Sequence, residues 1–267
     1  MAAAVLLLPL IPKGDSQLPI TYDEWQLGAE IARGSFGKVF YCCNKRSNNF
    51  RWAVKIVHRL QAAVGECLAE AEKLQHSNIV QIEEVMTVNR RIWIRMQLCD
   101  GPELSTYAGH LTDTKLLFII HKLLEAVNYL HRHYLVHRDV KPDNIVLADD
   151  GDRPVLVDLG SMRTEGTLTM SEGTHLYQPP EAQGRRRFVV VTKTLDDWSV
   201  GATTIAVATG RNIIGYEKCR KCVNHPSVLS RPTMRVLLEY AGKMMMDNLE
   251  DRLTTRELQE KIDYIKH

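Results

Sequence analysis

The densest cluster of reactive side chains is the stretch Val136-His137-Arg138-Asp139-Val140-Lys141-Pro142-Asp143-Asn144. A carboxylate, a lysine two positions on and an asparagine five positions on fit one compact loop. In such a loop Asp139 can accept or orient the proton of an attacking hydroxyl. Lys141 can neutralise charge on a phosphoryl group in transfer, and Asn144 offers a neutral oxygen ligand to Mg²⁺. Fourteen residues after Asn144, the run Val155-Leu156-Val157-Asp158-Leu159-Gly160 sets a second carboxylate at the end of an apolar strand. Asp158 is a hard ligand there, able with Asn144 to hold Mg²⁺ across the β- and γ-phosphates of a nucleotide. The plainer reading of the loop is a polar turn before a strand.

Upstream, Ile31-Ala32-Arg33-Gly34-Ser35-Phe36-Gly37-Lys38-Val39 puts two glycines between two strand-like runs. Without a Cβ, backbone N–H groups can approach a polyphosphate closely. A glycine hairpin reads the same way. Sixteen residues past Val39, Lys55 lies in the apolar strand Trp52-Ala53-Val54-Lys55. An ammonium is costly in such a place without phosphate or carboxylate partners, so a grip on the α- and β-phosphates is expected. A lysine at a strand edge is the alternative.

The elements that must position these groups change character midway. Residues 22–98 read as short β-branched or aromatic runs, at Trp25–Ala32, Lys38–Cys43, Phe50–Val57, Ile79–Val88 and Arg91–Leu98. One helical stretch, Leu60–Gln75, interrupts them. Residues 113–133 then form a long amphipathic helix capped by Thr112 or Asp113, with brief strand pairs after it and helices from Leu195 onward. This predicts an α+β, bilobal architecture: a small β-rich lobe at 22–98, a larger helical lobe at 99–267, and a hinge near Met96–Gly101. Such a hinge gives a ready ligand cleft. Residues 1–21 read as an N-terminal arm.

Bulk properties exclude several classes. The 267 residues carry 34 basic and 32 acidic side chains, a net charge of +2, so bulk attraction to nucleic acid is not expected. The apolar opening Met1–Ile11 lacks a basic region before it and is far short of a bilayer span, so no membrane span is expected; a signal peptide is the weaker alternative. Six scattered cysteines, two of them adjacent at Cys42–Cys43, suit a reducing, intracellular compartment, cytoplasm or nucleus, better than a disulfide framework. Cys219-x-x-Cys222 followed by His225 supplies at most three zinc ligands where a structural site takes four, so ordinary loop thiols are the simpler reading.

Together these motifs resemble the eukaryotic-type protein kinase superfamily over roughly Tyr22–Ile262, one domain of about 22–262. Ala32 stands where the family usually has its first glycine, Leu159 where it has phenylalanine, and Pro179 where it has alanine. Gly173-Thr174-His175-Leu176-Tyr177-Gln178-Pro179-Pro180-Glu181 looks like the end of an activation segment. Asp196-Asp197-Trp198-Ser199-Val200-Gly201 looks like the buried helix that anchors the catalytic loop, and Arg252 like the partner of Glu181. The lysine of His137–Pro142 resembles the serine/threonine branch. The compact span resembles that of some viral kinases.

The resemblance implies ATP and Mg²⁺ as cofactors and proteins as substrates. It assigns catalysis to Asp139, Lys141 and Asn144, and metal to Asn144 and Asp158. Nucleotide contacts fall to Ile31, Ala32, Gly34, Gly37, Val39 and Lys55, and to the hinge backbone at Gln97 and Cys99. It also implies a helix glutamate paired with Lys55, read as Glu70 for its apolar neighbours Leu68 and Leu74, with Glu66 the alternative of better spacing. Arg138 would read phosphorylation at Thr164, Thr167, Thr169 or Ser171, with Glu165 and Glu172 as unmodified sources of charge. Arg185-Arg186-Arg187 would favour acidic substrates or be a solvated face. Two rivals stay open: a catalytically silent scaffold acting by partner binding, and a small-molecule phosphotransferase. Oligomeric state is not readable.

Overall fold

The computed structural model describes residues 21–34, 37–46, 50–57, 62–183, 188–211, 228 and 230–265. The N-terminal apolar run, the cysteine pair with His225, and the arginine triplet lie outside the described residues. The chain divides into two compact units. One contains the residues up to Leu74 with Gln81–Leu98; the other contains Gln75–Val80 with Cys99 onward.

In the first unit, β1 (Thr21–Tyr22), β2 (Trp25–Arg33), β3 (Gly37–Asn44), β4 (Phe50–Val57), β5 (Ile82–Val88) and β6 (Arg91–Gln97) form one sheet. Its order is β1-β2-β3-β4-β6-β5, antiparallel throughout. Alternation along the strands sends Leu27, Phe40, Cys42, Val54, Ile56, Val88 and Trp93 into a shared core, with Trp25, Trp52 and Met86 packed against it. Asn89 and Arg90, both with positive φ (50° and 62°), make the two-residue turn between β5 and β6, whose backbone twist matches that of the strands. Burial pushes the Cys42 thiol up to about 12, so it packs as a small apolar group. Helix α1 runs over Ala62–Ala71.

Residues 79–81 read as the start of a strand, but the structure gives Gln75–Val80 to the second unit. Ile79 bridges Leu156, the Val80 amide donates to the Leu156 carbonyl at 3.0 Å, and Asn78 Nδ2 donates to the Pro154 carbonyl at 2.7 Å. Local β propensity lost to pairing with a distant strand.

The second unit is helical. Helix α2 (Asp113–Arg132) begins at Thr112, whose Oγ1 accepts from the Lys115 amide at 3.3 Å. Its face of Leu116, Ile119, Ile120, Leu123, Leu124 and Val127 is fully buried. Helices α3 (Thr194–Thr209), α4 (Pro232–Lys243) and α5 (Thr255–Ile265) follow among the described residues. Among the described residues three two-stranded ribbons belong to the unit: β7 (Leu135–Val136) with β10 (Arg163–Thr164), β8 (Ile145–Ala148) with β9 (Arg153–Leu156), and β11 (Leu168–Met170) with β12 (Phe188–Val190). Among the described residues no helix is long and apolar enough to cross a membrane.

Helix α3 joins α5 through Asp197, which is 2% exposed and accepts from the Thr255 amide at 2.7 Å. Burial pushes its carboxyl from 3.8 up to about 6, with the Thr255 amide opposing the shift. A raised folded value means that native protein binds the proton more tightly than the unfolded chain. Stability from this group is therefore full below pH 4 and lost as pH rises toward 6. Asp197→Asn keeps the acceptor for Thr255 and removes the charge. Urea unfolding is expected to show it more stable than the parent by about 1–3 kcal/mol at pH 7, with no difference below about pH 4.

Candidate functional site

Each unit carries its own share of the predicted groups. In the first, Gly34 and Gly37 differ in what the fold asks of them. A Cβ on Gly37 would lie 2.1 Å from the Ile56 carbonyl oxygen, so the pairing of β3 with β4 itself excludes a side chain. A Cβ on Gly34 would meet nothing within 4 Å. Nothing described in the chain needs glycine at 34, and its amide donates to the Gly37 carbonyl at 2.9 Å. Ile31 and Ala32 are exposed beside it, and Ala32 pairs with half-buried Val39 across the strands.

Lys55 sits between Val39 and Ile94 in the sheet and is 7% exposed, a buried position for an ammonium. The structure does not bring Glu70 to it: Glu70 is 54% exposed and ion-paired with Lys73 at 2.8 Å. The buried stripe of α1 runs through Cys67, Leu68 and Ala71 and on to Leu74, which turns 69, 70, 72 and 73 to solvent. The Glu66 side chain lies outside the described residues. At the end of β6, the Gln97 amide is spent on the Gln81 carbonyl at 2.9 Å, so its carbonyl is the group left to offer an adenine.

The second unit assembles the catalytic loop between β7 and β8, on a buried acid. Asp196 in α3 is 0% exposed and accepts the backbone amides of His137 and Arg138 at 2.8 Å each, and His131 Nε2 at 3.0 Å. Burial alone would raise its carboxyl; the His131 hydrogen bond, the charge of His131 and the Arg138 amide outweigh that and hold it below 3.8. This grip sustains Arg138 at φ 71°, a left-handed conformation costly for a side-chain-bearing residue. His137 Nδ1 accepts the Asp139 amide at 3.3 Å, so its Nε2 carries the hydrogen toward the Val157 carbonyl, also at 3.3 Å.

Asp139 itself is 6% exposed with both carboxylate oxygens in use. Its Oδ2 lies 3.0 Å from Lys141 Nζ and 3.0 Å from Asn144 Nδ2. Its Oδ1 accepts the Thr174 amide at 2.8 Å and Thr174 Oγ1 at 2.9 Å, while Lys141 Nζ donates to Thr174 Oγ1 at 2.7 Å. Thr174 is a member of this cluster that sequence reasoning left without a role. Its place in the Gly173–Glu181 segment was legible, its contact across 35 residues was not.

Asp158 has φ 58° and accepts the Gly160 amide at 3.2 Å through Oδ1. The Val157 amide donates to the Asn144 carbonyl at 2.8 Å, fastening the Asp158 strand to the catalytic loop. Asn144 Nδ2 is committed to the Asp139 carbonyl and carboxylate, so the atom it can offer a cation is Oδ1. An amide oxygen and a carboxylate form the hard-oxygen set that suits Mg²⁺. Among the described residues no cluster of three or more histidine, cysteine or acidic side chains forms a closed metal site. Cys99, also in this unit, has its thiol pushed up to about 11 by burial, so it offers no nucleophile at neutral pH.

Arg252 and Glu181 meet as a bidentate pair at 2.6 and 3.1 Å, and Arg252 lies 5.1 Å over the Trp198 ring. The activation segment is thereby tied to α3 and to the approach to α5.

The profile of the family described as Protein kinase domain matches residues 25–261. The chain is 27% identical to sperm motility kinase 2A of Mus musculus over 256 residues, 91% of this chain and 50% of that protein. It is 28% identical to serine/threonine-protein kinase 33 of Mus musculus over 209 residues, 70% and 42% of the two chains. CBL-interacting protein kinase 15 of Oryza sativa subsp. japonica is 29% identical over 212 residues, 73% and 48%. The chain spans half or less of the length of these curated relatives.

Proposed function

Because this chain belongs to the protein kinase domain family, we propose that it is an active serine/threonine kinase that moves the γ-phosphate of ATP onto protein hydroxyls. The observation that carries the reading is the bracketing of Asp139 by Lys141, Asn144 and Thr174 within hydrogen-bond reach. Asp139 orients the incoming hydroxyl and takes its proton as the bond to phosphorus forms. Lys141 offsets negative charge on the phosphoryl group in flight. Asn144 and Asp158 would hold Mg²⁺, and Lys55 would hold phosphate. Bound ATP supplies the phosphoryl group, and Mg²⁺ neutralises and aligns it. The lysine two residues after Asp139 and its contact to Thr174 support the serine/threonine branch. The unpaired thiols of Cys42, Cys43, Cys67 and Cys99 support action in a reducing compartment.

The test is transfer from γ-labelled ATP with Mg²⁺ to a mixed protein substrate, followed by acid hydrolysis. Label is expected on serine and threonine. Nucleotide binding without transfer would select the silent scaffold instead. Thr174→Ala removes two hydrogen bonds from the Asp139–Lys141 pair, so kcat is expected to fall about 10- to 100-fold at unchanged fold.

A further inference from the structure

Two guanidinium groups lie almost wholly out of water beside the activation segment. The Arg138 side chain is 2% exposed and that of Arg163 is 3%. Backbone carbonyls take up much of their hydrogen bonding: Ser161 and Met170 at 3.2 and 2.7 Å for Arg138, Gly160 and Met162 at 3.2 and 2.7 Å for Arg163. Carbonyl dipoles satisfy donors but leave net charge uncancelled. Glu172 supplies a carboxylate to both. Its Oε2 lies 3.1 Å from Arg163 Nη2 and 3.6 Å from Arg138 Nη1.

The residues after Glu172 convert that anchorage into geometry at the catalytic carboxylate. The Glu172 carbonyl accepts Gln178 Nε2 at 2.7 Å, so the residue is held at backbone and side chain. Gly173 passes the loop closely: at φ +114° its Cβ would lie 2.6 Å from the Arg138 carbonyl oxygen. Thr174 then reaches Asp139 through amide and hydroxyl. Slack at Glu172 would appear two residues later, at the groups that align Asp139.

We propose that Glu172 is a positioning residue, a permanent negative charge that clamps Arg138 and Arg163 and holds Thr174 on Asp139 without phosphorylation. This rests on the kinase reading and specifies how the site is kept ready. The hydroxyls of Thr164, Thr167, Thr169 and Ser171 are then dispensable for the basal rate.

The test compares phosphatase-treated parent protein with Glu172→Gln and Glu172→Asp, reading transfer kinetics and amide exchange over residues 168–176. The treated parent should keep its full rate. Glu172→Gln should lose about tenfold or more in kcat with KM for ATP within about twofold, and its amides at 170–174 should exchange about tenfold faster. Glu172→Asp should recover part of both. Loss of activity on phosphatase treatment, or a Gln variant equal to the parent in rate and exchange, would overturn the proposal. A parent that transfers no phosphate defeats the kinase reading alone, and the exchange comparison still decides the role of Glu172. Should the Gln variant loosen throughout, the Asp variant decides: rate and exchange recovered toward the parent, with any residual change confined to 170–174, support the clamp, and an Asp variant as impaired as the Gln variant refutes it.

Discussion

An Asp139→Asn variant is expected to stay folded, to bind nucleotide as the parent does, and to transfer phosphate about 10²- to 10⁴-fold more slowly. The amide matches the carboxylate in shape but cannot take a proton from an incoming hydroxyl. It also turns one acceptor into a donor at a place where every neighbour donates. Lys141 and Asn144 face Oδ2, and the Thr174 amide faces Oδ1. Whichever way the new amide points, at least one hydrogen bond is lost and at least one donor faces another, which costs about 1–3 kcal/mol locally. Single-turnover transfer and nucleotide titration on the same preparation separate the two effects. A variant with the parental transfer rate would remove Asp139 from the chemistry.

The second large effect is expected at Asp196, which touches no reactant. Replacing it with alanine leaves the His137 and Arg138 amides and His131 without their shared acceptor, in a place sealed from water. Removing one side of such a buried network costs about 3–5 kcal/mol. Since a domain is stable by only about 5–15 kcal/mol, urea unfolding should show most of the margin gone. Transfer should fall as well, because Arg138 then has no reason to hold its left-handed conformation. For the parent, the depressed carboxyl implies stability present above pH 4 and lost as acid drives the proton onto Asp196. An Asp196→Ala variant with parental unfolding midpoint and rate would contradict this account.

Much of the framework was legible because periodicity and local chemistry agreed. The strands of the first unit follow from alternation, and the Thr112 cap and the apolar stripe fix α2 to within a residue. The catalytic loop and the Asp158 turn stand out because their residue types are costly to bury without partners, whereas the Arg252–Glu181 pair was read from the family resemblance. Three features escaped for one shared reason, that their partners are distant in sequence. Ile79 pairs with Leu156, Thr174 with Asp139, and β11 with β12, and none of these contacts leaves a local pattern. Glu70 failed differently. Its neighbours Leu68 and Leu74 gave the right buried stripe, but the helical turn carries position 70 off that stripe to Lys73.

The crossing of Gln75–Val80 has a further meaning for how the molecule holds together. The polypeptide passes from one unit to the other three times, at residues 74/75, 80/81 and 98/99, rather than once. No single scission separates the two units: a fragment starting at Cys99 would lack the strip that pairs with Leu156 and Pro154, and one starting at Gln75 would carry Gln81–Leu98 with it. Each unit is thus assembled from two separate stretches of the chain.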